Sequence, residues 1–168
     1  AKFLLLSKGI HVGNLKNNRK FPDVVDGQWY TKYVMKAHQI GVINGYPDGF
    51  FRPGKPVNTA EFLKMASFLF FPDGDENEDR SVFPYSDVEV SDWFYRYVGN
   101  VIKFDLFPQR YPRSRLQPDK FLTRSEVAIA LYQYFNKQTV TMANPPKPIP
   151  HLPGDPQIKK IVRVSNST

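Results

Sequence analysis

The apolar positions of this chain fall into two blocks, residues 21–71 and 85–136, that share one spacing. In the first block Tyr33, Val34, Ala37 and Ile40 recur at helical intervals after Trp29. That pattern predicts a helix over 29–39 with one buried face, stopped by Gly41. The next stretch, "GVINGYPDGFFRPGKP", is punctuated by Gly45, Pro47, Gly49 and Pro53 and reads as a loop built from turns. "VNTAEFLKMA", Val57 to Ala66, then opens a second amphipathic helix. Asn58 supplies its N-cap and Glu61, three residues on, completes a capping box. "LTRSEVAIAL", Leu122 to Leu131, repeats the device with Thr123 and Glu126.

The two blocks align residue by residue. Phe21/Tyr85, Asp23/Asp87, Val24/Val88 and Trp29/Trp93 match at a constant offset, followed by Tyr33/Tyr97, Val34/Val98 and Ile40/Phe104. One inserted residue in the loop shifts the register, after which Pro53/Pro118, Glu61/Glu126 and Phe62/Val127 coincide. The units are duplicates, each expected as helix, loop, helix. The opening "AKFLLLS" fits "AEFLKMA" and "SEVAIAL", so residues 1–14 read as the end of an earlier repeat. Residues 1–20 therefore comprise that remnant and a polar connector, "GNLKNNRK". Repeats follow at 21–71 and 85–137, separated by an acidic loop at 72–84. A proline-rich linker is expected over 138–157 and the start of a β segment over 158–168, where "IKKIVRV" alternates like a half-buried strand.

The ordered set "FPDV…W…GVINGYPDGFFRP…NTAE" and "YSDV…W…FDLFPQ…LQP…LTRSE" resembles the S-layer homology repeat. The resemblance covers residues 21–136 plus the remnant. It implies a mainly α fold in which three helix–loop–helix repeats pack as a pseudo-threefold helical bundle. It also implies function: grooves between repeats hold a cell-wall polysaccharide, often one bearing an acidic pyruvylated sugar, and so tether a surface-layer protein non-covalently. The expected location is extracellular, in the cell envelope. Expected partners are wall polysaccharide or peptidoglycan and neighbouring copies of the surface protein.

The family's helix-opening motif falls here on Thr123, Arg124 and Glu126. In the first turn of its helix Arg124 has the planar fork that grips a carboxylate in two places. Thr59 occupies the matching position in the first full repeat, which therefore lacks that cation, with Arg52 or Lys55 as stand-ins. Trp29, Trp93 and Tyr46 are the candidates for stacking on a sugar face, against a competing reading of both tryptophans as core. Asp23 and Asp87 read as caps of the following turn or as ligand groups. The second loop, "FDLFPQ", lacks both glycines of "GVING".

Composition trims the alternatives. A formal net charge of +7 favours an anionic partner, but the basic residues are scattered and part of the excess sits in the last thirty, so nucleic acid is not expected. Zero cysteines exclude disulfides and thiolate metal sites. No run of about 20 apolar residues predicts a transmembrane segment, and "AKFLLLSKGI" lacks a cleavage site expected of a signal peptide. Asp73, Asp75, Asn77 and Asp79 alternate as in a calcium loop, yet Glu78 and Pro84 occupy positions that an EF-hand needs for glycine and glutamate. A solvated linker without metal is the better expectation there. No phosphate loop, serine elbow or zinc motif is present, so neither catalysis nor a cofactor is expected. A second class of function stays open: a lattice or filament subunit whose repeats and terminal strand contact other protein chains.

Overall fold

The structure, a computed structural model, describes residues 1–70, 83–110 and 112–143, with side chains through Lys137. The acidic alternation at 73–79, the proline run from Pro145 and the strand expected over 158–164 lie outside the described residues. Within them the chain is mainly α: α1 Lys2–Ser7, α2 Thr31–Gln39, α3 Thr59–Phe70, a 3₁₀ turn Tyr95–Tyr97, α4 Gly99–Phe104 and α5 Arg124–Ala143. The first full repeat is α2–loop–α3, and the second is the 3₁₀ turn with α4, loop and α5.

The helix α2 buries Val34 and Ala37, whereas Ile40, expected on the inward face, is 39% exposed. Ile40 lies beyond the last helical turn, just before the left-handed Gly41, and the chain re-enters the core at Val42 and Ile43. The matching element of the second repeat is broken into two short pieces. Gly99 and Asn100 stand there in place of Met35 and Lys36, and both have lower helix propensity. The helix α5 runs on to Ala143, past the boundary expected at 137, because no glycine or proline intervenes before Pro145.

Two of these helices end in the same way. Gly41 (φ 77°) and Asp105 (φ 48°) take the left-handed conformation. Val42 and Leu106 then donate back to Ala37 and Val101, five residues earlier. Asp105 thus does what glycine does in the first repeat. Its side chain accepts from Arg113 at 2.9 Å, a local bond that helps a non-glycine residue hold this backbone.

The packing order repeats too. The α1 helix lies on α2, and α3 lies on the 3₁₀ turn. Leu4 and Leu5 of α1 join Phe62, Leu63, Val98, Val101, Leu116 and Ala130 in one core. Asn17, in the polar connector, is buried and satisfies three backbone groups: it donates to the Phe21 and Val24 carbonyls and accepts from the Phe21 amide.

Each loop is fastened by an aspartate about thirty residues upstream. Asp23 accepts from the amides of Phe51 (2.9 Å) and Arg52 (2.5 Å), and Asp87 from those of Leu116 (2.8 Å) and Gln117 (2.9 Å). Arg52 and Gln117 are both left-handed, at φ 59° and 58°. Hydrogen bonds to a charged group contribute about 1.5–3 kcal/mol. Asp87→Ala should therefore lower stability by about 3–6 kcal/mol, since two such bonds go. Urea unfolding checks this, and an unchanged midpoint would remove the clamp from the account.

Candidate functional site

Between α1, the first repeat and the start of the second lies a groove of about 660 Å³. Trp29 and Trp93 line it and are 65% and 56% exposed. The reading of the tryptophans as core is thereby corrected: each sits before its helix, outside the helical face that turns inward. Tyr46 and Arg52, expected at the site, line the same groove, together with Lys2, Tyr33, Lys55, Glu61 and Lys64. Four cationic side chains and one carboxylate therefore face this space.

The groove floor is a short relay at the start of α3. Tyr46 donates its hydroxyl to Glu61 at 2.7 Å, and Lys55 reaches both Tyr46 (2.9 Å) and Glu61 (3.1 Å). Glu61 also accepts from the Asn58 amide while Asn58 accepts from the Glu61 amide, the capping box expected from sequence. Burial pushes the Glu61 carboxyl up, but Tyr46, the Asn58 amide and Lys55 together hold it below its usual range. Burial leads in raising the Tyr46 hydroxyl, and the bond to Tyr46 leads in raising Lys55. The Arg52 guanidinium lies 4.6 Å from the Tyr46 ring centre and pairs with Asp48.

Asp23 and Asp87 lie behind the loops as clamps. Thr123 and Glu126 form the second capping box, with Thr123 N–H donating to Glu126 at 2.9 Å and Glu126 N–H to the Thr123 hydroxyl at 3.2 Å. Lys120 pairs with Glu126 at 2.9 Å, as Lys55 does with Glu61. Arg124 is exposed in the first turn of α5 and has no ion-pair partner among the described residues. It is not among the residues lining this groove.

The largest departure from the sequence reading concerns Thr59, which is fully buried. Its hydroxyl donates to the Lys120 carbonyl at 3.2 Å and accepts from Arg110 at 2.9 Å. Arg110 fills the seam between the repeats: it also donates to the Leu116 carbonyl, lies 3.6 Å from Glu126 and stacks 4.0 Å from the Phe107 ring centre. Burial lowers its pKa, opposed chiefly by Glu126. In the loop of the first repeat Gly45 (φ 82°) carries no side chain, and a Cβ there would come within 2.6 Å of Phe21. Thr59 is therefore a joint between repeats and leaves no room for arginine, so a cation there would not re-equip a groove. Sequence reasoning missed Lys64 and Tyr33 at the groove and Arg110 at the seam. Only the helical phase of Lys64 relative to Glu61 carried a signal for any of them.

A duplicated helix–loop–helix unit with an aromatic, cation-lined groove between repeats defines the class of this molecule. The family model for the S-layer homology domain matches residues 20–63 and 84–128, and the chain belongs to that family. It is 30% identical over 95 residues to a cellulosome-anchoring protein of Acetivibrio thermocellus, covering 56% of this chain and 21% of that protein. Cell surface glycoprotein 1 of the same organism is 30% identical over 95 residues, 56% of this chain and 4% of that protein. Exoglucanase XynX from Acetivibrio thermocellus is 25% identical over 136 residues, 79% of this chain and 12% of the enzyme. The chain spans about a fifth or less of these curated relatives. No solved structure matches it significantly.

Two measurements test the seam. Burial alone would raise the Glu126 carboxyl, but the Thr123 amide, Lys120 and the Thr123 hydroxyl bring it from the usual 4.5 to about 2. A lowered folded pKa adds stability above pH 4.5 that is lost as pH falls toward 2. The difference in unfolding free energy between wild type and Glu126→Gln should thus be roughly 3 kcal/mol at neutral pH and shrink across that window. A difference independent of pH would show that the ionised carboxylate is not what stabilises α5. Thr59→Arg should cost roughly 3 kcal/mol or more through overpacking and an added buried charge, and a melting temperature equal to wild type would refute the buried joint.

Proposed function

We propose that this chain anchors the protein that carries it to the cell envelope, non-covalently, by holding an anionic cell-wall polysaccharide in grooves between its repeats. The repeats in this reading complete a pseudo-threefold bundle. The single observation that carries it is the groove of about 660 Å³ in which two half-exposed tryptophans stand beside four cationic side chains. Indole faces suit the apolar face of a pyranose, and fixed ammonium and guanidinium groups suit its acidic substituents. The family, with relatives named as anchoring and cell-surface proteins, supports a place at the cell surface. Among the described residues no helix is long and apolar enough to cross a membrane.

Within this reading Trp29, Trp93, Tyr46 and Arg52 touch the glycan, while Asp23 and Asp87 hold the loops that present it. Arg124, with its capping partners Thr123 and Glu126, offers a second cationic point. The match to the exoglucanase covers 12% of that enzyme, which supports an attachment module and not a catalytic one. A wall sugar bearing a pyruvate ketal or another carboxylate, or peptidoglycan, is the ligand class, and neighbouring copies of the protein are partners on the surface.

The test is titration calorimetry of the chain with purified wall polysaccharide. Arg124→Ala should weaken binding roughly ten- to a hundredfold, the value of one charge-assisted contact. Arg52→Ala should weaken it less, because Asp48 already occupies part of that guanidinium. Melting temperature should stay put in Arg124→Ala. Full affinity in both variants would move the site elsewhere, and a large drop in melting temperature for Arg124→Ala would make that arginine structural.

A further inference from the structure

The groove's cations are not equivalent. Lys55 is committed to Glu61 and Tyr46, in the same way that Lys120 is committed to Glu126 in the second repeat. Arg52 is committed to Asp48. Lys2 and Lys64 make no ion pair among the described residues, and each stands over a tryptophan. Lys2 Nζ lies 5.5 Å from the ring centres of both Trp29 and Tyr33, and Lys64 Nζ lies 5.9 Å from that of Trp93. In both cases the lysine comes from a second helix and the tryptophan from the repeat that follows. One groove therefore contains two lysine–tryptophan contacts, reached from different positions of the two helices.

Resting on the reading of this groove as a glycan site, we propose that Lys2 with Trp29 and Lys64 with Trp93 are two like subsites for successive anionic sugars of one strand. Each indole takes the apolar face of a pyranose, and the lysine beside it takes that sugar's carboxylate or phosphate. An ammonium held only against aromatic rings keeps its charge available to the ligand, whereas a lysine in an ion pair must first give up a carboxylate. Two like subsites select a polymer with a repeating negative charge over a single acidic sugar, since the second contact is made at high effective concentration. Within this groove recognition thus falls on Lys2, Lys64 and the two tryptophans, while Arg124 of the helix-opening motif lies outside its lining.

The chain has two tryptophans, both in this groove, so their fluorescence reports the ligand directly. Wall polysaccharide purified from Acetivibrio thermocellus is the probe, untreated, carboxyl-reduced, or stripped of phosphodiesters with hydrofluoric acid. The untreated polymer should change the emission of both Trp29→Phe and Trp93→Phe, each of which retains one tryptophan. Lys2→Gln and Lys64→Gln should each weaken binding about tenfold, and the double variant about a hundredfold. Loss of wild-type affinity on carboxyl reduction would assign the anion to a carboxylate, and loss on hydrofluoric acid treatment to a phosphate; the lysine substitutions should cost nothing further on the polymer so treated. Wild-type binding with both lysine variants unimpaired, or emission changes in only one tryptophan variant, would overturn the paired subsites and leave the groove standing. No binding by the wild type would remove the groove reading itself, and this inference with it.

Discussion

A carboxylate that accepts two successive loop amides is the constraint on which this architecture rests. Asp23 and Asp87 each reach about thirty residues along the chain to do so. Both receiving loops contain a non-glycine residue in left-handed backbone, which is costly unless its surroundings over-determine it. The charge-assisted pair of bonds supplies that determination. With the turn fixed, Pro53 and Pro118 follow and the chain is aimed at the start of the second helix. The capping boxes at Asn58 and Thr123 then form at a fixed distance from the clamp. In the first repeat the same loop carries Tyr46 and Arg52 into the groove, so site geometry depends on Asp23 without Asp23 lining the site.

The repeats join where their second helices begin. Asn58 and Phe121 form an antiparallel bridge, and the amides of Thr59 and Ala60 donate to the Lys120 and Pro118 carbonyls at 3.0 Å each. First-turn helix amides lack intrahelical partners, and here the neighbouring repeat provides them. Arg110, Thr59 and Glu126 complete the seam from the side-chain direction. A buried ion pair adds little net stability against apolar replacement, but losing one member leaves an uncompensated charge. The seam consequently favours one register of repeat against repeat.

Much of this was legible in the sequence, and the parts that were not share a cause. Helical periodicity, the capping boxes and the duplication are local signals, and α2, α3 and α5 stand where those signals put them. The break at Gly99 is also local, yet it was passed over because the aligned hydrophobic positions Val98 and Phe104 continued to match. Trp29 and Tyr46 could be named as aromatic candidates, but whether Trp29 lay inside or outside depended on how α1 packs. Thr59 was misread because alignment equates positions, not environments: its partner in the alignment, Arg124, is exposed while Thr59 is buried. Arg110 gave no local warning, since its role exists only once the two repeats touch.

That asymmetry shows how duplicated units divide labour. The loops of the two repeats serve opposite ends. In the first repeat a side chain at 45 would strike Phe21, so the position stays bare and the loop beside it remains open toward the groove. In the second repeat the corresponding loop extends the Arg110 guanidinium into the seam, where it meets Thr59 of the first. Threonine at 59 and arginine at 110 are therefore complementary: a short hydroxyl leaves the space that the long side chain occupies. An arginine at both positions would place two guanidinium groups in one buried space, with Glu126 as the nearest carboxylate and Lys120 already upon it. The first repeat's missing arginine is thus explained by the packing of its neighbour, and whatever cations serve the groove must come from other elements.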